Sequence, residues 1–271
     1  MVEWLIEPLT YGFFLRGLIG GLLAAVACGV LSGFVVWRGM AFIGDALSHS
    51  ILPGIVLSFT LGTSLLFGAL LSSMAAVAGI GLITRRKGMK EDTAIGVIFS
   101  GFFALGILML SRISSYQDLS HILFGNILGM SRTDLVIIGV IVVIVVAAVF
   151  LFYKELLVTS FDPVHAVTIG LSPTLIHYGL LVIIALTTVV AIQSVGVVLI
   201  LALLVTPAAS ASLLFRELPR IIGLGTVFAV LSTVCGFYMS YYMNVPSGPA
   251  IVIILSLIFL GALVISRLRT R

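Results

Sequence analysis

Charged residues are scarce in this chain, and their scarcity decides the class of protein. Asp, Glu, Lys and Arg make up only 9% of the 271 residues, whereas a soluble globular domain carries about 25%. The hydrophobic fraction is 61%, and the mean hydropathy is +1.32. Because no polar stretch is long enough for a soluble domain, the sequence predicts an all-α, polytopic bundle of transmembrane helices. Residues 1–271 are expected to form one integral-membrane domain.

The chain also lacks the residue patterns typical of disulfides, redox sites and common enzyme active sites. Cys28 and Cys235 both lie in apolar segments, so they are expected to be buried small side chains and not a disulfide or redox pair. The chain has no P-loop, no HExxH, no nucleophile elbow and no cysteine cluster. It is therefore not expected to be an enzyme, and energy for active transport would come from a partner or a gradient. The first span is expected to act as an uncleaved signal, because no basic n-region precedes it.

Nine apolar ranges are candidates for membrane spans, since a helical span needs about 20 residues. Two of them are weak. Pro53-Gly54 interrupts the second range, and only Gln193-Ser194 separates the sixth from the seventh, so the prediction is eight or nine spans. The ranges are Leu15–Trp37, Met40–Thr60, Ser64–Thr84, Thr93–Ser111, Leu135–Tyr153, Leu175–Ile192, Val195–Phe215, Ile221–Met243 and Ala250–Ile265.

The basic residues predict the orientation in the membrane. Loops on one side hold most of them, and cytoplasmic loops are the ones enriched in Lys and Arg. The C-terminus is then cytoplasmic, and the net charge of +4 reports topology instead of nucleic-acid binding. The residues on the predicted cytoplasmic side are Arg38, Arg85, Arg86, Lys87, Lys90, Lys154, Arg216, Arg220, Arg267, Arg269 and Arg271; those on the other side are Arg16, Arg112 and Arg132.

Asp45 and His49 form the most informative pair in the chain. Asp45 is the one acidic residue inside a predicted span, and His49 follows at i+4, so a helix puts both on one face. Such a pair is costly in hydrocarbon and usually marks an ion or proton path; a carboxylate and an imidazole can also start a divalent-cation site. Pro53 should break the helix and free the carbonyl of His49, with Gly54 beside it. The alternative is a hydrogen-bonded pair that only holds helices together.

Two loops are long enough to carry structure of their own. The outer loop, Arg112–Asp134, is expected to contain an interfacial helix over Leu119–Leu128. The inner loop contains Asp162-Pro163, a helix-start signal, and Gly170, a good residue for ending a helix. A short cytoplasmic helix is therefore predicted from Pro163 to Ile169. It is either a docking helix for a cytoplasmic partner or an ordinary loop with a helical turn.

Several stretches together resemble the membrane subunit of bacterial manganese/zinc/iron ABC transporters. They occur in the order typical of that family and cover nearly the whole chain. The stretches are GDALSHSILPG (Gly44 to Gly54), EDTAIGVIFSGFFALGI (Glu91 to Ile107), LFGNILGMSRTDL (Leu123 to Leu135), FDPVHAVTIGL (Phe161 to Leu171) and LLVTPAASA (Leu203 to Ala211).

The resemblance implies a permease of the bacterial cell membrane that pairs with a second copy of itself. It also implies two cytoplasmic ATPase subunits and an extracytoplasmic metal-binding protein. Asp45 and His49 would line the path of the transported metal, and no permanently bound cofactor is expected. The stretch around Phe161, Asp162, Pro163, Ala166 and Gly170 would be the coupling helix that sits in a cleft of the ATPase.

Two other functions fit the same residues. A proton- or sodium-coupled secondary carrier could use an Asp/His pair as a relay, and it would work without an ATPase. A purely structural membrane subunit would tolerate Asp45→Asn. The metal also stays open: zinc binds such sites more tightly than manganese, whereas the absence of a cysteine at the site favours a harder metal, so Mn²⁺ is favoured, Zn²⁺ comes second and iron remains open.

Overall fold

The computed structural model describes residues 6–84, 89–112 and 130–269, and every regular element in those ranges is helical. Residues Pro8–Thr10 form a 3-10 turn. The α-helices within the described ranges are α1 (Gly12–Trp37), α2 (Ile43–Ser50), α3 (Leu52–Leu61), α4 (Leu65–Thr84), α5 (Glu91–Leu110), α6 (Arg132–Leu151), α7 (Tyr153–Phe161), α8 (Pro163–Thr168), α9 (Pro173–Val195), α10 (Val197–Ser212), α11 (Leu218–Met243) and α12 (Ser247–Arg269).

The all-α membrane architecture expected from composition is present, but the expected number of spans is wrong. Within the described ranges, seven helices are long and apolar enough to cross a membrane: α1, α4, α5, α6, α9, α11 and α12. The range Met40–Thr60 is two short helices, because Pro53 lies in the first turn of α3 and cannot continue α2. The range Val195–Phe215 contains only the 16-residue α10, which starts after Gly196 at φ 81°.

Helix α1 is the centre of the bundle. It packs most extensively against α11 and also contacts α6, α9 and α10. Small residues allow this close approach: a Cβ on Gly29 would lie 2.8 Å from the Cα of Thr226, and a Cβ on Gly33 would meet the side chain of Ile222. Because α1 is fixed on several sides, the segment that follows it starts from a rigid support.

The broken pair α2 and α3 packs against α4 and α5 and against α9 and α10, which also contact α1. Helix α2 contacts α5, α9 and α10, whereas α3 lies on α4 and α5. Gly54 and Gly68 bring the backbones of α3 and α4 together, since a Cβ on Gly54 would overlap the carbonyl of Gly68. The short helix that carries Asp45 and His49 is therefore held between several longer helices.

The short helix predicted from Pro163 to Ile169 is confirmed as α8, within one residue. The Asp162 carboxylate accepts a hydrogen bond of 2.8 Å from the His165 backbone N–H, which caps the start of the helix. Gly170 has φ 84°, and the Leu171 N–H donates back to the Ala166 carbonyl at 3.0 Å. Local sequence signals alone thus determine both ends of this helix.

Two other expectations have different outcomes. The predicted interfacial helix Leu119–Leu128 lies outside the described residues. Cys28 is buried as expected, but Cys235 is exposed, so the prediction of burial is wrong for Cys235. An apolar helix such as α11 can leave a small side chain on its outer flank, where surrounding hydrocarbon accepts it.

Candidate metal site

Asp45 and His49 face each other across one turn of α2. The distance from Asp45 Oδ1 to His49 Nε2 is 3.5 Å. Their side chains keep 39% and 31% of their accessible surface, respectively. The pair is therefore neither sealed in the core nor fully solvated in the isolated chain.

The rest of α2 explains why these two side chains point outward. Ile43 and Leu47 are fully buried, and a Cβ on Gly44 would be 2.8 Å from the side chain of Leu204 on α10. One face of the helix is thus packed into the bundle. Phe42, which precedes α2 and is exposed, shares the opposite stripe with the pair at positions i, i+3 and i+7.

Two phenylalanines of α5 pack against the imidazole of His49. Its ring centroid lies 5.6 Å from that of Phe99 and 5.0 Å from that of Phe103, and the two phenyl rings stack on each other at 17°. Ring packing on this scale restricts the imidazole's rotamers. The sequence carries little signal for this role, because α5 is apolar throughout; the i, i+4 spacing of the two aromatic residues is the one hint.

The helix break beside the pair differs in detail from the expectation. Helix α2 ends at Ser50 and α3 begins at Leu52, with Pro53 in its first turn. The carbonyl of His49, expected to be free, faces the backbone N–H of Ile51. The carbonyl of Ser50 accepts a 2.6 Å hydrogen bond from Ser72 Oγ on α4. The structure therefore satisfies the backbone at the break from a neighbouring helix.

The hydroxyls of Ser48 and Ser50 do not join the pair. Both are buried. Ser48 Oγ donates to the Gly44 carbonyl and Ser50 Oγ donates to the Ala46 carbonyl, each at 2.6 Å. Serine hydroxyls in helices commonly bond the preceding turn in this way, so these two are occupied inside α2.

The pair offers one carboxylate and one imidazole to a cation. Oxygen and nitrogen donors of this kind suit manganese, iron and zinc. Among the described residues, no group of three or more His, Cys, Asp and Glu side chains is placed to hold a metal ion. One chain therefore presents two potential ligands, and a site that held a metal would need further donors.

The predicted coupling residues form a separate surface. Helix α8 contacts α7 and α9. Ala166 is fully buried, whereas Val164 and Val167 are strongly exposed. Phe161 packs on Trp37 at the end of α1, with 4.6 Å between ring centroids. The exposed side of α8 thus carries these two valines beside the exposed His165 and Thr168, and its inner side is anchored to the bundle.

His177 has partners that no local pattern predicts. It lies between Arg38, 139 positions earlier, and Glu91. Arg38 reads in the sequence only as one of the basic residues that report topology, and Glu91 as an ordinary acidic residue at a helix start. A single sequence does not indicate contacts over such separations.

Comparison with known proteins identifies the family of this chain. The model of the ABC 3 transport family matches residues 10–266. The chain belongs to this family. It is a multi-pass membrane permease subunit of a metal-transporting ABC system, and such a subunit is not itself an enzyme.

Relatives of this permease are named for the transport of different metals. The manganese transport system membrane protein MntC of Listeria innocua is 43% identical over 251 residues, covering 93% of this chain and 90% of that protein. A probable iron transport system membrane protein of Haemophilus influenzae is 38% identical and covers all of both chains. The solved structure of PsaBC from Streptococcus pneumoniae in complex with Fab aligns with TM-score 0.85 and 38% identity, covering 96% of this chain and 94% of that one. These comparisons give no support to the secondary carrier.

Proposed function

We propose that this permease imports a divalent transition metal, with Mn²⁺ the first candidate and Zn²⁺ the second. The observation that carries this proposal is the Asp45–His49 pair, 3.5 Å apart on a short helix that a proline ends. An ionisable pair at such a position in a membrane protein marks an ion path. The imidazole packs against Phe99 and Phe103, and this contact would restrain its orientation toward the ion.

The donor types support a first-row metal without selecting one. Carboxylate oxygen suits manganese, and imidazole nitrogen suits zinc and iron as well. Manganese is favoured because neither cysteine lies beside the pair and because the Listeria innocua relative is named for manganese transport. Selectivity among these metals would follow from geometry and availability, since raw affinity favours zinc over manganese.

A second copy of the chain would complete the site. Manganese and zinc take about four to six ligands, and one chain offers two side chains that stay partly exposed. A two-fold axis near the exposed side of this pair would bring two such pairs together.

The exposed side of α8 supports a cytoplasmic ATPase as partner. Val164 and Val167 are apolar residues on a helix too short to cross a membrane, and exposed apolar residues on such an element suit a protein contact. With the basic loops in the cytoplasm, α8 and the C-terminus face the same side. An extracytoplasmic binding protein would deliver the metal at the opposite face.

The mechanism follows from these placements. The delivered cation sheds water and binds the Asp45 carboxylate and the unprotonated nitrogen of His49, with the remaining positions filled by the second copy or by water. ATP binding in the partner subunits then displaces α8, and the bundle opens the site toward the cytoplasm. Pro53 lets α2 move independently of α3, because no continuous helix joins them.

The decisive experiment is metal accumulation in cells that lack their own manganese and zinc importers. The permease is expressed with its ATPase and binding protein, as wild type, as Asp45→Asn or as the control Asp92→Asn, which removes an exposed carboxylate at the start of α5. We expect Mn²⁺ uptake by the wild type and by the control, and uptake at background level by Asp45→Asn, with all three present in the membrane. Full uptake by Asp45→Asn would reject the site, and uptake without the ATPase would reject the ABC mechanism. A parallel zinc assay measures selectivity.

A further inference from the structure

Arg38 joins three parts of the chain where α1 ends. It is the residue after α1, and its guanidinium is partly buried. Its Nε donates to Ser160 Oγ at 2.9 Å and its Nη2 donates to Thr159 Oγ1 at 2.9 Å, both on α7. Its Nη1 lies 3.3 Å from His177 Nδ1 on α9. One side chain thus ties α7 and α9 to the end of α1.

His177 extends this connection to α5. Since Arg38 has only donors, His177 Nδ1 must act as the acceptor, and a neutral imidazole then carries its proton on Nε2. That atom lies 3.3 Å from Glu91 Oε1, although the geometry falls short of a hydrogen bond. The chain of contacts therefore runs from α7 through Arg38 and His177 to the first residue of α5.

Partial burial of the charged Arg38 cluster costs desolvation free energy. Burial lowers the pKa of Arg38 from its ordinary value, and the Glu91 carboxylate opposes that shift; the guanidinium stays charged. A partly buried ion network is weak evidence for stability, because desolvation offsets much of the attraction. The role of this network is better explained by the geometry that it imposes on the helices it connects.

Both ends of this network lead to residues already assigned a role. Helix α7 runs directly into α8, and Phe161 at their junction packs on Trp37, next to Arg38. Arg38 is also five positions before Ile43, where α2 begins. Glu91 begins α5, and Phe103 lies 12 residues further on, or roughly 18 Å along the helix. A displacement of α7 and α8 would therefore have two routes to the Asp45–His49 pair. One is the connecting segment 39–42, and the other is helix α5.

We propose that Arg38 is the positioning residue that couples displacement of α7 and α8 to the Asp45–His49 pair. The proposal rests on the proposed function, since it needs an ATPase that moves α8. Arginine suits the task because its planar guanidinium presents donors in fixed directions and reaches three acceptors at once. Loss of Arg38 should therefore separate ATP hydrolysis from metal movement without removing either ligand.

The test uses the complete transporter in liposomes, with permease, ATPase and Mn²⁺-loaded binding protein. Metal taken up per ATP hydrolysed is measured for wild type, for Arg38→Gln and for the control Arg220→Gln, whose side chain is exposed and pairs with Glu217 on the surface. We expect Arg38→Gln to assemble and to keep its basal ATP hydrolysis, but to transport roughly threefold to thirtyfold less metal per ATP. The control should match the wild type.

A second variant keeps the proposal falsifiable if Arg38→Gln does not assemble. Thr159→Val with Ser160→Ala removes the two hydroxyls that accept from Arg38, which themselves donate only within α7. It should lower metal per ATP in the same direction by a smaller factor. Added to Arg38→Gln, this pair should cause no further loss. Unchanged metal per ATP in both variants would overturn the role of Arg38 while leaving the metal path intact; no ATP-dependent uptake by the wild type would instead overturn the proposed function, and this inference with it.

Discussion

At the scale of single residues, one hydroxyl completes the backbone at the helix break. Ser72 is buried on α4, and its hydroxyl donates to the carbonyl of Ser50, the last residue of α2. In a water-poor interior, an unpaired carbonyl is costly. Ser72 therefore allows the chain to end α2 just after His49.

Replacing Ser72 by alanine should lower the stability of the permease. The Ser50 carbonyl then loses its donor inside the bundle, at a cost of about 1–3 kcal/mol. Thermal unfolding of the purified protein in detergent measures the effect. The control is Ser100→Ala on α5, whose exposed hydroxyl donates only to Gly96 in its own helix; equal unfolding temperatures for the two variants would contradict the assigned role of Ser72.

The residues of the site differ in how far the sequence indicates them. Asp45 and His49 stand out because an ionisable pair at helical spacing is rare in an apolar segment. Phe99 and Phe103 do not stand out, because aromatic side chains in a membrane helix usually have no special role. The contacts of Arg38 with His177 and Ser160 arise from tertiary packing, which no local pattern in a single sequence indicates.

At the scale of elements, local chemistry predicts helix ends better than hydropathy does. Asp162, Pro163 and Gly170 act within a few residues of themselves, and α8 matches its prediction. Hydropathy instead averages over a whole segment, so it joined Met40–Thr60 into one span across Pro53. Prolines within α11 and α12 are near their first turns and leave those helices intact, and Pro207 lies inside α10 without ending it. The presence of a proline therefore does not by itself end a helix.

The close contact between α3 and α4 predicts a strong effect at Gly54. In Gly54→Ala, the added methyl group overlaps the Gly68 carbonyl, which is backbone and cannot turn away. We expect a loss of roughly 1–3 kcal/mol from overpacking, together with reduced metal uptake because α3 follows the site directly. The measurements are unfolding temperature and uptake.

Gly101→Ala on α5 is the matched control for this prediction, since nothing lies within 4 Å of its Cβ position. It adds the same methyl group to a helix without a clash. If Gly54→Ala were as stable as Gly101→Ala, the two backbones would not be in the close contact described.

At the scale of the whole molecule, a site shared by two copies predicts how much metal uptake remains when wild-type and variant chains are mixed. Wild-type and Asp45→Asn chains are expressed together in equal amounts with the partner subunits. If both copies must supply Asp45, only about a quarter of the symmetric dimers keep a complete site. Uptake per transporter should therefore fall to about that fraction. Uptake near one half would instead indicate that each copy transports independently.

The partial exposure of Asp45 and His49 also has a consequence for biogenesis. If two copies share the site, a newly inserted single copy would present only half of the ligands on its flank. Under the two-copy site, an unassembled subunit cannot leak metal or dissipate the gradient across the membrane. Assembly would then itself prevent metal leakage through unpaired subunits.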